Sequence, residues 1–265
     1  MQKHILITGS TDGIGKLAAI KLANEGHSVY VHGRYEEKVN AVVAEIKSKA
    51  NNENVSGFVA DFSDLDAVKT MAKELSEQIL HIDVLINNAG VFKSPVSLSK
   101  DGYDIRFVVN YLAPYILTAE LLPLIEKGTD SRIINLSSAA QSDISYNAII
   151  GKEQVSENKS YAQSKLAITM WSFHLANQLK NVSVLAVNPG SLLNTKMVKE
   201  AFGQYWAPAE KGAEILYELA ISEKHKGISG KYFDNDSGKY SNAHPHAYDE
   251  VAIDKLIEFT NKLIK

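Results

Sequence analysis

The chain has 265 residues, 45% of them hydrophobic and 22% charged, with a formal net charge of −3. That is ordinary globular composition with charges of both signs interspersed, which offers no basic face for nucleic acid and no charged patch for a membrane. There is no cysteine, which excludes disulfides, a thiol nucleophile and cysteine-ligated metals.

Residues 1–265 read as a single domain, because no linker-like shift, repeat or low-complexity tract divides them. No secretory signal is visible. The most apolar stretch, Tyr111 to Ile125, is short for a membrane span and carries Glu120 and two prolines. A cytoplasmic protein with no nucleic-acid and no membrane partner is expected.

Short apolar runs alternate with helical patterns from end to end. His4–Thr8 reads as a strand and Ile14–Asn24 as a helix. Between them runs a glycine loop, Thr8-Gly9-Ser10-Thr11-Asp12-Gly13-Ile14-Gly15. Gly9 allows the tight turn, Gly13 lets the backbone approach a pyrophosphate, and Gly15 lets the helix pack close to the sheet. Unpaired N–H groups at the helix start would face the phosphates. The spacing is Gly-x3-Gly-x-Gly rather than the commoner Gly-x-Gly-x2-Gly.

Ser28–His32 is the second strand and ends at Gly33-Arg34. In a dinucleotide fold this end lies near the adenosine ribose. An acid there would accept from a 2′-hydroxyl, whereas an arginine suits a 2′-phosphate. Arg34 is one of three arginines in a lysine-rich chain, and its planar fork matches a phosphate. A helix over Glu36–Lys49 and a strand over Val55–Ala60 follow, then Asp61-Phe62. Asp61 could accept from an adenine amino group or cap the next helix, Leu65 to about Ile79.

Val84–Asn87 is a strand followed by Asn88-Ala89-Gly90, small residues able to pack on a cofactor or to form a turn. A long helical pattern crosses Tyr103–Ile125, with Pro114 as the expected kink. Arg132–Ser137 is a strand, Tyr161–Lys180 a helix, and Val182–Val187 a strand ending at Asn188-Pro189-Gly190. Gly230–Phe233 is a last strand and Val251–Ile264 a closing helix. Apolar strands alternating with helices specify an α/β fold, a parallel sheet covered on both faces.

Tyr161 and Lys165 stand four residues apart on their helix and so share one face. A free phenol has a pKa of about 10, and a neighbouring ammonium lowers it. The pair could therefore exchange protons near neutral pH.

Together, Thr8–Gly15, Asp61, Asn87–Gly90, Asn110, Ser138, Tyr161-x3-Lys165 and Pro189-Gly190 resemble the motif set of the short-chain dehydrogenases/reductases, in order, over residues 4–195. The resemblance implies a Rossmann-type, doubly wound sheet of about seven parallel strands with helices on both faces. It implies a catalytic set of Asn110, Ser138, Tyr161 and Lys165, acting on a small-molecule carbonyl/alcohol pair. It places the cofactor on residues from Gly9 to Gly15, on Asp61 and Phe62, on Asn88, Ala89 and Gly90, on Tyr161 and Lys165, and on Pro189 and Gly190. Either Asn194 or Thr195 would contact the nicotinamide amide. With Arg34, NADP(H) is favoured over NAD(H).

The long stretch Gln141–Lys159 between Ser138 and Tyr161 resembles the retinol-dehydrogenase-like branch. That branch often carries an N-terminal membrane anchor, whereas here the first strand opens at His4. The resemblance also implies a homodimer or homotetramer, formed through the two long helices. The Tyr-x3-Lys spacing favours C=O over C=C reduction. Two other readings stay open: an NAD(H)-preferring dehydrogenase, and an NADP(H)-binding sensor or scaffold without turnover.

No metal is expected. His244-Pro245-His246 lacks helical spacing with acids. Asp234 to Gly238 has its glycine one place early for a calcium loop, and reads as a turn. The substrate wall is expected from Gln141–Ile150 and from Leu192–Trp206, the latter a lid with little periodicity.

Overall fold

A computed structural model describes residues 1–264. Eight strands form one sheet in the order β3-β2-β1-β4-β5-β6-β7-β8. They are β1 (His4–Ile7), β2 (Ser28–Gly33), β3 (Val55–Val59), β4 (Val84–Asn87), β5 (Ser131–Leu136), β6 (Val182–Asn188), β7 (Lys231–Asp234) and β8 (Lys239–Ser241). All neighbours pair in parallel except β7 with β8. The expected seven parallel strands are present, and the eighth is a short antiparallel return. The turn before it, Asp234 to Gly238, is structural: Asn188 Nδ2 donates to Asp234 and Asp236, and Ser191 N–H donates to Asp236.

The strands are apolar on both sides because two cores use alternate residues. Leu6, Leu85, Ile133 and Val184 face one core with α3 (Leu65–Gln78), α5 (Ala113–Ile125) and α7 (Glu157–Gln178). Ile5, Ile7, Ile86 and Ile134 face the other with α1 (Gly13–Asn24), α2 (Glu36–Ala50) and α9 (Ala209–Ile221). Each fully buried branched side chain contributes about 1.5–3 kcal/mol. The strand order reverses between β1 and β4, and at this switch point open sheets bind ligands beyond the strands' carboxyl ends.

The long pattern before β5 is one continuous helical stretch of 21 residues, Ile105–Ile125. It has three parts: α4 (Ile105–Phe107), a π-helical turn (Val108–Leu112) and α5. Pro114 follows that turn directly and is the second residue of α5, inside the continuous stretch, where it has no N–H to give to the preceding turn. The irregularity in the helix is the π turn just before Pro114, and such turns gather at functional sites. By length and hydropathy this stretch could cross a bilayer, contrary to the sequence reading; 67% of its apolar window is buried in the fold.

The helix α7 starts four residues earlier than expected, with Ser156 capping Lys159 N–H. It is buried on nearly all sides from Gln163 to Phe173. The closing helix α10 (Glu250–Leu263) lies across the outer side of the long helices. Tyr111 hydroxyl pairs with Thr260 Oγ1 at 2.8 Å, and Tyr115 hydroxyl donates to Asn261 Oδ1 at 2.8 Å.

Candidate active site

The glycine loop leaves β1 and enters α1 beside the end of β4. Thr8 joins the two: its hydroxyl oxygen accepts from Asn88 N–H at 3.0 Å and Ala89 N–H at 2.9 Å. Asn88 Nδ2 returns the contact to the carbonyls of Thr8 and Gly9. A side chain on Gly15 would overlap Asn88 Nδ2, so Gly15 admits the end of β4 rather than only bringing helix to sheet. Gly13 has φ +55°, and a Cβ there would find its nearest neighbour, the Thr195 methyl, at 3.7 Å. Gly13 thus lies under Thr195 at the α1 N-terminus, where backbone N–H groups can meet a phosphate. Asp12 caps α1 at Gly13 N–H (2.8 Å) and stands 3.6 Å from Lys38.

Not every predicted cofactor residue faces that space. Ser10 is fully buried; its hydroxyl donates to Ile7 O at 2.7 Å and accepts from His32 N–H. It supports the loop from behind. Phe62 is buried too, stacked on His32 with ring centroids 4.2 Å apart. Thr11 packs its methyl against Gly33, and Ile14 packs against Gly212 of α9. Asp61 is exposed, with one oxygen accepting from Ser63 N–H and hydroxyl, while Asp64 caps α3. Arg34 is exposed, lies 4.9 Å from the Tyr35 ring centre, and makes no ion pair among the described residues.

Of the four expected catalytic side chains, Asn110 and Lys165 meet beside Gly90, Tyr161 stands next to Lys165, and Ser138 stands next to Tyr161. A Cβ on Gly90 would stand 3.3 Å from Asn110 Oδ1 and 3.7 Å from Lys165 Nζ. Asn110 sits on the π turn. Its Oδ1 accepts from Val91 N–H at 2.7 Å, and its Nδ2 donates to Val91 O and Ser164 Oγ. Its side chain thereby ties the end of β4 to α7. Lys165 is buried and donates to Leu136 O at 2.7 Å. Ser137 turns inward to Thr169, leaving Ser138 as the serine beside Tyr161.

Burial governs the electrostatics. It holds the Tyr161 phenol above its ordinary pKa, partly offset by the neighbouring Ser138 side chain. It pushes Lys165 down to about 7, because a buried ammonium loses its water. Lys165 Nζ lies 5.5 Å from the Tyr161 ring centre. In the protein alone, burial is the largest influence on both groups.

Aromatic residues wall the opening. Phe92 contacts Tyr161 on one side (4.8 Å) and Phe202 on the other (5.2 Å). Phe202 ends α8 (Lys196–Phe202), a short helix with no fully buried residue. Tyr205 and Trp206 beyond it are exposed. Pro189 O accepts from Asn235 Nδ2, and Gly190 N–H donates to Asn188 Oδ1. Thr195 caps α8 at Val198 N–H. Asn194 Oδ1 is buried without a partner. An orphan acceptor next to the residue that faces Gly13 suits a carboxamide N–H, so the site fits a nicotinamide dinucleotide.

Sequence reasoning missed His32, Lys38 and Phe92, and it gave Thr8 no role of its own. His32 accepts from Gly9 N–H at 3.0 Å through Nδ1, and its Nε2 pairs with Ala60 O at 3.0 Å. A histidine ending an otherwise apolar strand was the available signal. The sequence also passed over α9, although Ala209, Ala213, Leu216 and Ala220 follow helical spacing.

A profile of the short chain dehydrogenase family matches residues 3–206. The chain belongs to this family and is an oxidoreductase of the short-chain dehydrogenase type. Human retinol dehydrogenase 13 is 31% identical over 281 residues, covering 99% of this chain and 84% of the relative. Human retinol dehydrogenase 11 is 32% identical over 244 residues, covering 87% and 76%. A short chain dehydrogenase structure from Escherichia coli CFT073 in complex with NADPH superposes with a TM-score of 0.73 at 26% identity, over 88% of this chain and 96% of the other.

Proposed function

We propose that this protein is an NADP(H)-dependent oxidoreductase that interconverts a carbonyl and an alcohol, with Tyr161 as general acid/base. The observation that carries the reading is that Ser138 adjoins Tyr161, Tyr161 adjoins Lys165, and Lys165 stands beside Gly90 at the end of β4. When bound, the nicotinamide coenzyme supplies or takes up the hydride. In the reducing direction Tyr161 donates its proton to the carbonyl oxygen, and the Ser138 hydroxyl holds that oxygen. Lys165, fixed on Leu136 O, sits where it can bond a ribose and stabilise the phenolate left by proton transfer. Asn110 keeps Val91 and α7 in register around them.

Gly13 and the α1 N-terminus would hold the pyrophosphate, Asp61 the adenine and Arg34 the 2′-phosphate. The aromatic wall of Phe92 and Phe202, together with relatives named retinol dehydrogenases, supports an uncharged, largely apolar aldehyde, ketone or alcohol as substrate.

Two measurements test this reading. Turnover of a panel of aldehydes, ketones and quinones is followed by NADPH absorbance. Tyr161→Phe should lower it by about two to four decades while NADPH binding is kept; near wild-type turnover would sink the assignment. Titration with NADPH and NADH should show a preference for NADPH that Arg34→Ala reduces by roughly one to two decades, the value of a charge-assisted contact of about 1.5–3 kcal/mol. Equal affinities in the wild type would favour the NAD(H) reading.

A further inference from the structure

Two distant stretches of the chain bring three metal-binding side chains together outside the catalytic set. Asp143 lies in the loop that follows Ser138. His244 and His246 flank Pro245 between β8 and α10. Asp143 Oδ1 is 3.0 Å from His246 Nδ1 and 3.5 Å from His244 Nε2. One donor atom from each residue lies within 4.8 Å of the other two. Around a tetrahedral zinc ion with bonds of about 2.0–2.2 Å, neighbouring donors stand roughly 3.3–3.6 Å apart. Small rotations of half-exposed side chains bridge the difference.

The donor chemistry narrows the ion. Two imidazoles and one carboxylate suit zinc and its transition-metal neighbours, while magnesium and calcium favour all-oxygen sets. Among the described residues no lysine or arginine pairs with Asp143; the side chains that meet its carboxylate are these two histidines. His244 is already oriented. Its Nδ1 accepts from His246 N–H at 3.3 Å, which turns Nε2 toward Asp143. Coordination through Nε2 moves the ring proton to Nδ1 and releases that long bond, and the exposed His246 N–H then turns to water. Three protein donors leave a fourth position for water.

We propose that Asp143, His244 and His246 form a site for zinc or a similar divalent transition ion. The ion clasps the loop after Ser138 to the turn before α10. The backbone between them is already linked: His244 N–H donates to Gln141 Oε1, and Gln141 Nε2 donates to Ser138 O. Tyr232 hydroxyl donates to the same carbonyl. These groups line a cleft of about 240 Å³ next to the substrate wall. Binding therefore stiffens the edge of the substrate opening without touching Tyr161.

The test uses untagged, chelator-treated full-length protein titrated with Zn²⁺ by calorimetry, and with Co²⁺ by visible absorption. We expect one equivalent of Zn²⁺ to bind, a tetrahedral Co²⁺ spectrum, and no competition from Mg²⁺. His244→Ala and His246→Ala should each weaken binding by more than roughly tenfold. His246 is exposed, so metal-free thermal stability of His246→Ala should match the wild type. His244→Ala also loses its cap on His246 N–H and should melt slightly lower. Zn²⁺ should raise the midpoint in the wild type alone. Absence of saturable Zn²⁺ binding would overturn the proposal. So would unchanged affinity in the His244→Ala/His246→Ala double variant, which would place the ion on other histidines.

Discussion

His32 connects the two loops that frame the adenosine side of the site. Its Nδ1 receives Gly9 N–H, so in the neutral ring Nε2 carries the proton and donates to Ala60 O. Protonation would place a second N–H against Gly9 N–H. Burial lowers the His32 pKa to about 4, with Ala60 O and Asp61 offsetting part of the shift. The unfolded chain takes up this proton near pH 6.5, and the folded chain only near pH 4. Between these values the unfolded state binds more protons, so stability falls as pH drops through the window. The contribution is complete above pH 6.5 and gone below pH 4, and amounts to about 3 kcal/mol. His32→Gln keeps a donor and an acceptor but does not titrate. Its urea midpoint should therefore fall less than that of the wild type between pH 7 and about pH 4.5. Parallel falls in both proteins would take His32 out of the acid transition.

At the scale of an element, α8 is the part of the site with the least holding it. None of its residues is fully buried, and Thr195 supplies a single side-chain cap. It is nevertheless a helix from Lys196 to Phe202, ended by Gly203 at φ +72°, where the sequence offered little periodicity. Phe202 rests on Phe92, and Met197 reaches toward Gly90. An element with few buried contacts opens easily and gains contacts when a ligand fills the space beneath it. Amide hydrogen exchange should show fast exchange across α8 and the following residues to Trp206 in the protein alone. With NADP(H) and a substrate analogue, it should slow. Protection equal to that of β4 and β5 before any ligand is added would mean that α8 is a fixed wall.

For the whole molecule, α10 decides which surfaces remain free. The resemblance implies association through the two long helices. Here α7 is buried nearly all round from Gln163 to Phe173, and Thr260 of α10 is buried against Tyr111. Tyr248 covers Phe173 at 5.2 Å. A helix already covered by its own chain has little apolar surface left for a partner. Light scattering at micromolar concentration should therefore give the mass of a single 29.1 kDa chain. A dimer mass would show either that α10 leaves this face or that another face associates.

The sequence alone determined the layered α/β fold, because strands apolar on both faces can only be a sheet covered twice. It placed the glycine loop, Asn88–Gly90 and Ser138 at strand ends and the Tyr161/Lys165 pair on one helix face, since those positions follow from chain order and short-range spacing. It did not reveal that Ser10 and Phe62 are buried supports, or that Asn110 ties the end of β4 to α7. Nor did it show that Lys165 turns to Leu136 O: each depends on which side of a loop a side chain takes, and that is decided by neighbours far along the chain. The meeting of Asp143 with His244 and His246, and the covering of α7 by α10, are of the same kind. Local spacing carries periodicity and turns; desolvation, hydrogen-bond partners and covered faces exist only once the distant segments have packed.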